Sequence, residues 1–154
     1  MPFNLGRGSS NGNGARTSTR SVALFTVGGV DYAIDAERVR HLVPAGRETG
    51  QAVVFEGVTY RLIDLRTLFR LPAIPRAGRV LLVDDGGSRT GALVADNIAT
   101  LACLEERALT PLPPVFRGHE RVRFEALAVL EDRIVVVVAA RGLQADAWPT
   151  RVAV

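Results

Sequence analysis

The feature that most constrains this chain is its punctuation. Between Val22 and Val138 the apolar residues come in short runs, most of them closed at or just beyond their end by glycine, proline, aspartate or asparagine. About nine or ten runs read as strands with turn signals every ~8–12 residues, and only three short stretches read as helix. A chain broken that often closes short strands into an all-β barrel or sandwich.

The central stretch is Phe55 to Phe69. Gly57 supplies a tight turn. Val58, Tyr60 and Leu62 alternate with Thr59 and Arg61, the period of a half-buried strand. Asp64 then caps a short helix with Leu65, Leu68 and Phe69 on one face. Shifted by 75 residues, this stretch lands on Glu131 to Leu143: Glu56 meets Glu131, strand meets strand, Arg66 meets Arg141 and Leu68 meets Leu143, while Asp64 becomes Ala139. Two similar units in one small chain point to two sub-barrels of one architecture, although two apolar strands can also match by coincidence.

In chain order, residues 1–20 are Gly-, Ser-, Asn- and Thr-rich and read as a disordered arm. The folded domain is expected over 21–146, with a frayed tail at 147–154. Val22–Val27 and Tyr32–Ile34 form a hairpin over Gly28-Gly29. Asp35 caps an expected helix that buries Val39, Leu42 and Val43 and ends at Pro44. A linker at 71–78 divides the folded part, and the sub-barrels are expected to meet there. Arg79–Val83 and Gly91–Val94 form a second hairpin, and a strand from Ile98 to Leu104 comes next. A stiff Pro-rich piece, a charged loop at 116–123 and a last hairpin, Ala126–Leu130 with Ile134–Val138, complete the domain. The apolar run 134–138 suits a strand covered on both faces.

The 154 residues suffice for a core without disulfides or metals. A single cysteine, Cys103, excludes a disulfide framework and reads as a buried apolar filler. The absence of any apolar stretch of membrane-spanning length or signal-peptide core points to a soluble cytoplasmic protein. All 19 basic residues are arginine, scattered rather than striped, and the net charge is only +3, which argues against a nucleic-acid surface.

Chemistry-bearing motifs are sparse. Leu81-Leu82-Val83-Asp84-Asp85 is similar to the opening strand of a receiver domain, but the residues after it read as β, so Asp-Asp-Gly-Gly is a hairpin turn. His41 and His119 have no second ligand at metal spacing, and no phosphate loop or nucleophile elbow is present. Asp35, Asp64 and Asp96 each close a strand, where capping is the economical role. No catalytic constellation, cofactor motif or metal set emerges.

Four stretches in order carry a family resemblance: Leu24–Asp35, Phe55–Arg66, Gly91–Asp96 and Ile134–Leu143. Together they resemble the CheW-like domain of bacterial chemotaxis coupling proteins, across residues ~21–143. The resemblance implies two intertwined five-stranded barrels of the Src-homology (SH3-like) type, with a hydrophobic groove between them. It implies a non-catalytic scaffold that bridges a receptor's cytoplasmic tip to the regulatory domain of a CheA-type histidine kinase. It places partner contacts at Val39, Phe55, Glu56, Gly57 and Val94; His41, which reads as a surface residue near a helix end, and Arg61, where the chain departs from the family, are candidate contacts from this sequence itself.

The chain departs from the family where contacts are expected. The family's Asn-Leu-Arg-Gly is Val54-Phe55-Glu56-Gly57, a reversal of charge, and a proline usual in the strand is Arg61. Two other readings stay open. One is a divergent coupling protein of a non-flagellar pathway, binding a kinase but no standard receptor. The other is a small barrel enzyme or ligand-binding protein with a polar pocket near Asp64 or Asp96.

Overall fold

The computed structural model describes residues 18–44, 51–72, 78–143 and Trp148. Eleven strands run in chain order: β1 (Thr19–Val27), β2 (Val30–Asp35), β3 (Val39–Pro44), β4 (Ala52–Phe55), β5 (Val58–Asp64), β6 (Arg79–Asp84), β7 (Thr90–Ala95), β8 (Asn97–Glu105), β9 (Leu109–Thr110), β10 (Phe124–Leu130) and β11 (Arg133–Val138). Two short helices, α1 (Leu65–Leu68) and α2 (His119–Arg123), and 3-10 turns at Ala36–Arg38, Glu106–Ala108 and Ala140–Gly142 complete the fold. The all-β expectation holds.

The strands form two sheets. One has the order β8-β1-β2-β11-β10-β9 and the other β3-β6-β7-β5-β4. The chain leaves the first sheet after β2, builds the whole second sheet, and returns after β7. Each sheet lays one antiparallel hairpin parallel against another: β2 on β11, and β7 on β5. The sheets therefore share one plan and are intertwined. The crossings fall at residues 35–39 and 95–97, and residues 73–77 of the expected 71–78 linker lie outside the described residues.

The 75-residue echo has a structural meaning. β4–β5 and β10–β11 hold equivalent places, and both close over two left-handed residues. These are Glu56 and Gly57 at φ 50° and 80°, and Glu131 and Asp132 at 51° and 66°. A two-residue hairpin turn demands such backbone, because it matches the strands' twist.

Three apolar layers hold the fold. Phe25 and Ile34 from the first sheet meet Ile63, Leu81 and Leu93 from the second, all at most 1% exposed, with Tyr32, Phe124 and Leu143 in the same layer. Val22, Leu24, Ala33, Leu104, Val135 and Val137 fill the first barrel. Val43, Val53, Tyr60, Leu62, Val80 and Leu82 fill the second.

Several local expectations are corrected. Asp35 does cap, its Oδ1 accepting from Glu37 N at 3.0 Å, but the turn stops at Arg38. Val39 to Pro44 then form a strand on β6, and Leu42 is half exposed. Long-range pairing outweighs the helical spacing of those apolar residues. Cys103 is exposed, because strand alternation turns Leu104 inward. Ile134, in the run expected to be covered on both faces, is 65% exposed. The 116–123 loop contains α2, and β1 begins at Thr19, inside the expected arm, whose residues 1–17 lie outside the described residues. Trp148, expected in the loose end, is fully buried, edge-on to Phe124.

Asp96 does not cap a helix. It clasps the two sheets at the second crossing: Oδ2 accepts from Gly28 N at 2.8 Å, and Arg66 donates Nε to Oδ1 at 2.8 Å and Nη2 to Oδ2 at 3.0 Å. The Arg66 hydrogen bond, more than burial opposes it, holds this carboxyl below the ordinary carboxylate range. A depressed folded-state pKa gives stability that is present above the unfolded value and lost as pH falls through the folded one. Urea unfolding across pH 2–7 should therefore show an acid loss of stability. Asp96→Asn should lower the neutral-pH midpoint and flatten that acid limb; an unchanged limb would remove Asp96 from this role.

Candidate functional site

The second barrel is closed at a seam. β3 and β4 are the two outer strands of its sheet, so nothing in the hydrogen-bond ladder joins them. Their side chains do: the His41 ring on β3 lies 4.3 Å from the Phe55 ring on β4, tilted by 51°. Contact between opposite edges curls the sheet upon itself. Phe55 also packs on the barrel interior, while Leu42, Val54 and Val58 around the seam are 50%, 64% and 42% exposed. Glu56 and Gly57 turn outward directly after Phe55, both exposed. Edge strands that show apolar side chains and unpaired backbone are the surfaces through which β proteins pair with partners.

Two more expected residues share a row across the sheet. Val39 pairs with Val83, Val83 with Gly91, Gly91 with Arg61, and Arg61 with Ala52. Val39 is half-buried against the layer between the sheets. Arg61 is half-buried, with Nε and Nη2 covered and without an acceptor among the described residues. Desolvation first, and then the charge of Arg89, push its pKa down. Val94 stands apart: it pairs with Val80 and Asp64 and packs on the second barrel's interior.

The structure thus gathers His41, Phe55, Glu56 and Gly57 at the seam, aligns Val39 with Arg61, and separates Val94. Sequence reading missed Leu42 and Val54. Leu42 was hidden by the helical spacing of its run. Val54 was hidden because Ala52-Val53-Val54-Phe55 is apolar throughout, so alternation gives no sign of the outward residue.

Charge near the start of β3 is neutralised locally. Asp84 accepts from Arg40 Nε at 2.5 Å and from Arg38 Nη1 at 3.3 Å. Burial pushes its pKa up, but the Arg40 and Gly86 hydrogen bonds and both arginine charges outweigh it and the net direction is down. Asp64, suggested as the floor of a polar pocket, accepts at Oδ1 from the amides of Arg66 and Thr67 as the cap of α1. Among the described residues no group of three His, Cys, Asp or Glu is placed to hold a metal ion. No helix among them is long and apolar enough to cross a membrane.

The family model described as "CheW-like domain" matches residues 21–147. Among solved structures, the scaffolding protein TtCheW from Thermoanaerobacter tengcongensis is similar with a TM-score of 0.70 and 17% identity, over 79% of this chain and 89% of that one. Comparison with curated proteins finds no match.

The seam is open to a double-mutant cycle. Phe55→Ala should cost about 2–4 kcal/mol in chemical denaturation, toward the lower end because the ring is only half-buried. His41→Ala should cost less, and the pair should couple by roughly 0.5–1.5 kcal/mol. Additive losses would mean that the ring contact does not close the barrel.

Proposed function

This chain belongs to the CheW-like domain family, and from that premise we propose that it is a non-catalytic adaptor of chemotaxis-like signalling, docking on the regulatory domain of a CheA-type histidine kinase. The observation that carries this reading is the seam, where exposed Leu42 and Val54 flank the His41–Phe55 contact on two edge strands. Such a surface offers apolar area and strand edges to a second barrel, and its described residues bring no catalytic groups together. The contact set we assign is His41, Phe55, Glu56 and Gly57 at the seam, with Val39 and Arg61 on the neighbouring row. Val94 supports the barrel from within. The setting is cytoplasmic, where such a kinase works.

Glu56 favours a narrower form of the same reading. It stands exposed in the turn where the family commonly carries arginine, so a receptor surface built for a cation meets a carboxylate. The adaptor then serves a pathway whose receptor differs from the standard chemoreceptor, while the kinase contact persists.

Titration of the purified protein with a CheA-type regulatory domain should give saturable binding much tighter than ~1 mM. An affinity no better than that, only about 4 kcal/mol, would overturn the proposal. In parallel, Glu56→Arg should raise affinity for a standard receptor's cytoplasmic fragment without weakening kinase binding. No gain would leave the kinase contact standing and remove Glu56 as the determinant of receptor choice.

A further inference from the structure

Arg61 on β5 and Arg66 on α1 lie close in the chain and show the same chemical edge in two states. Arg66 presents Nε and Nη2 to the two oxygens of Asp96, at 2.8 and 3.0 Å, the side-on fork that matches a carboxylate. In Arg61 the same two nitrogens are covered and have no hydrogen-bond partner among the described residues. The described charge that acts on it is another cation, Arg89 at the β6–β7 turn. Buried donors left unpaired are unfavourable, and a planar cation beside a second cation is doubly so. Its neighbours in the row across the second sheet, Ala52 and Gly91, carry no acceptor side chain.

We infer that Arg61, backed by Arg89, is the receiving site for an Asp or Glu side chain of the protein partner, filled on docking in the way Asp96 fills Arg66. The inference rests on the adaptor reading above and names the partner's chemistry at one point of that surface. Arg61 is half-buried as a residue, and its long stem lets the guanidinium rotate outward to a carboxylate arriving at the row it shares with Val39. At Gly91, the next residue in the row, a β-carbon would meet Ile63 Cδ1 at 3.0 Å and Leu143 at 3.6 Å, so the inner side of the row is closely packed and apolar and offers the guanidinium no acceptor side chain. The paired arginines make the site selective for a negative group, and the planar fork selects a carboxylate over a lone oxygen.

The test uses Arg61→Met, which keeps much of the stem and removes the charge. In the isolated protein, Arg61→Met should raise the urea midpoint or leave it level, because an unpaired cation is replaced by an apolar group. A lower midpoint would show that Arg61 is already held by a group of its own chain, and would overturn the inference whatever the binding result. With the kinase regulatory domain as probe, the variant should bind roughly tenfold more weakly or worse, and its affinity should lose part of the wild type's salt dependence. Equal binding by wild type and variant would overturn the inference and leave the adaptor reading intact. Failure of the wild type itself to bind would overturn the adaptor reading, and this inference with it.

Discussion

The apolar layer between the two sheets is the constraint on which the rest depends. Phe25 and Ile34 share one buried cluster with Ile63, Leu81 and Leu93, and those three residues come from a sheet built entirely after β2 has ended. Neither face is satisfied until the chain has crossed over, formed the second sheet and crossed back. The first sheet is completed only when β2 receives β11 in parallel, from the far end of the domain, and the second when β7 receives β5. Stability is shared, and the barrels form as one cooperative unit rather than two beads on a linker.

That arrangement explains where polar chemistry is spent. The described core holds no buried polar or charged residue. The ordered charges sit instead at its margins: Asp96 with Arg66 and the Gly28 amide at one crossing, and Asp84 with Arg38 and Arg40 beside the strand that comes after the other. Asp96 and Arg38 stand where the chain changes sheets, and Asp96 also satisfies the Gly28 amide there. Of the three aspartates that read as caps, Asp35 and Asp64 do cap, and Asp96 instead ties the two sheets together.

The sequence carried the all-β class and the hairpins over residues 22–34, 79–94 and 126–138, because turn residues and two-residue alternation are local signals. It also carried the repeat: Glu56-Gly57 and Glu131-Asp132 occupy matching turns. What it lacked was any sign of which partner a strand takes. Val39, Leu42 and Val43 keep helical spacing, yet β6 captures them as strand. Asp96 reads as a cap because its binding groups, Gly28 and Arg66, are distant in sequence. Of the seam, the Glu56-Gly57 turn was legible locally and the choice of Phe55 to Gly57 as contacts came from the family resemblance alone, whereas the meeting of His41 with Phe55 is a consequence of sheet closure and leaves no local trace.

The seam also shows why this architecture suits a scaffold. A barrel closed by a full ladder has no free edge, and one left open aggregates. Here the closing contact is a pair of rings rather than a row of backbone hydrogen bonds, so both edge strands keep their outer groups. β4, at four residues, is too short to template an extended sheet, and the Glu56-Gly57 turn places a charge at its end. Short, charged edges of this kind discourage indiscriminate pairing while leaving Leu42 and Val54 available to a partner of matching shape. Selection among such partners then falls to the few charges nearby. On the adaptor reading proposed above, Glu56 and Arg61 are two such charges, and neither belongs to the fully buried layer that holds the fold together.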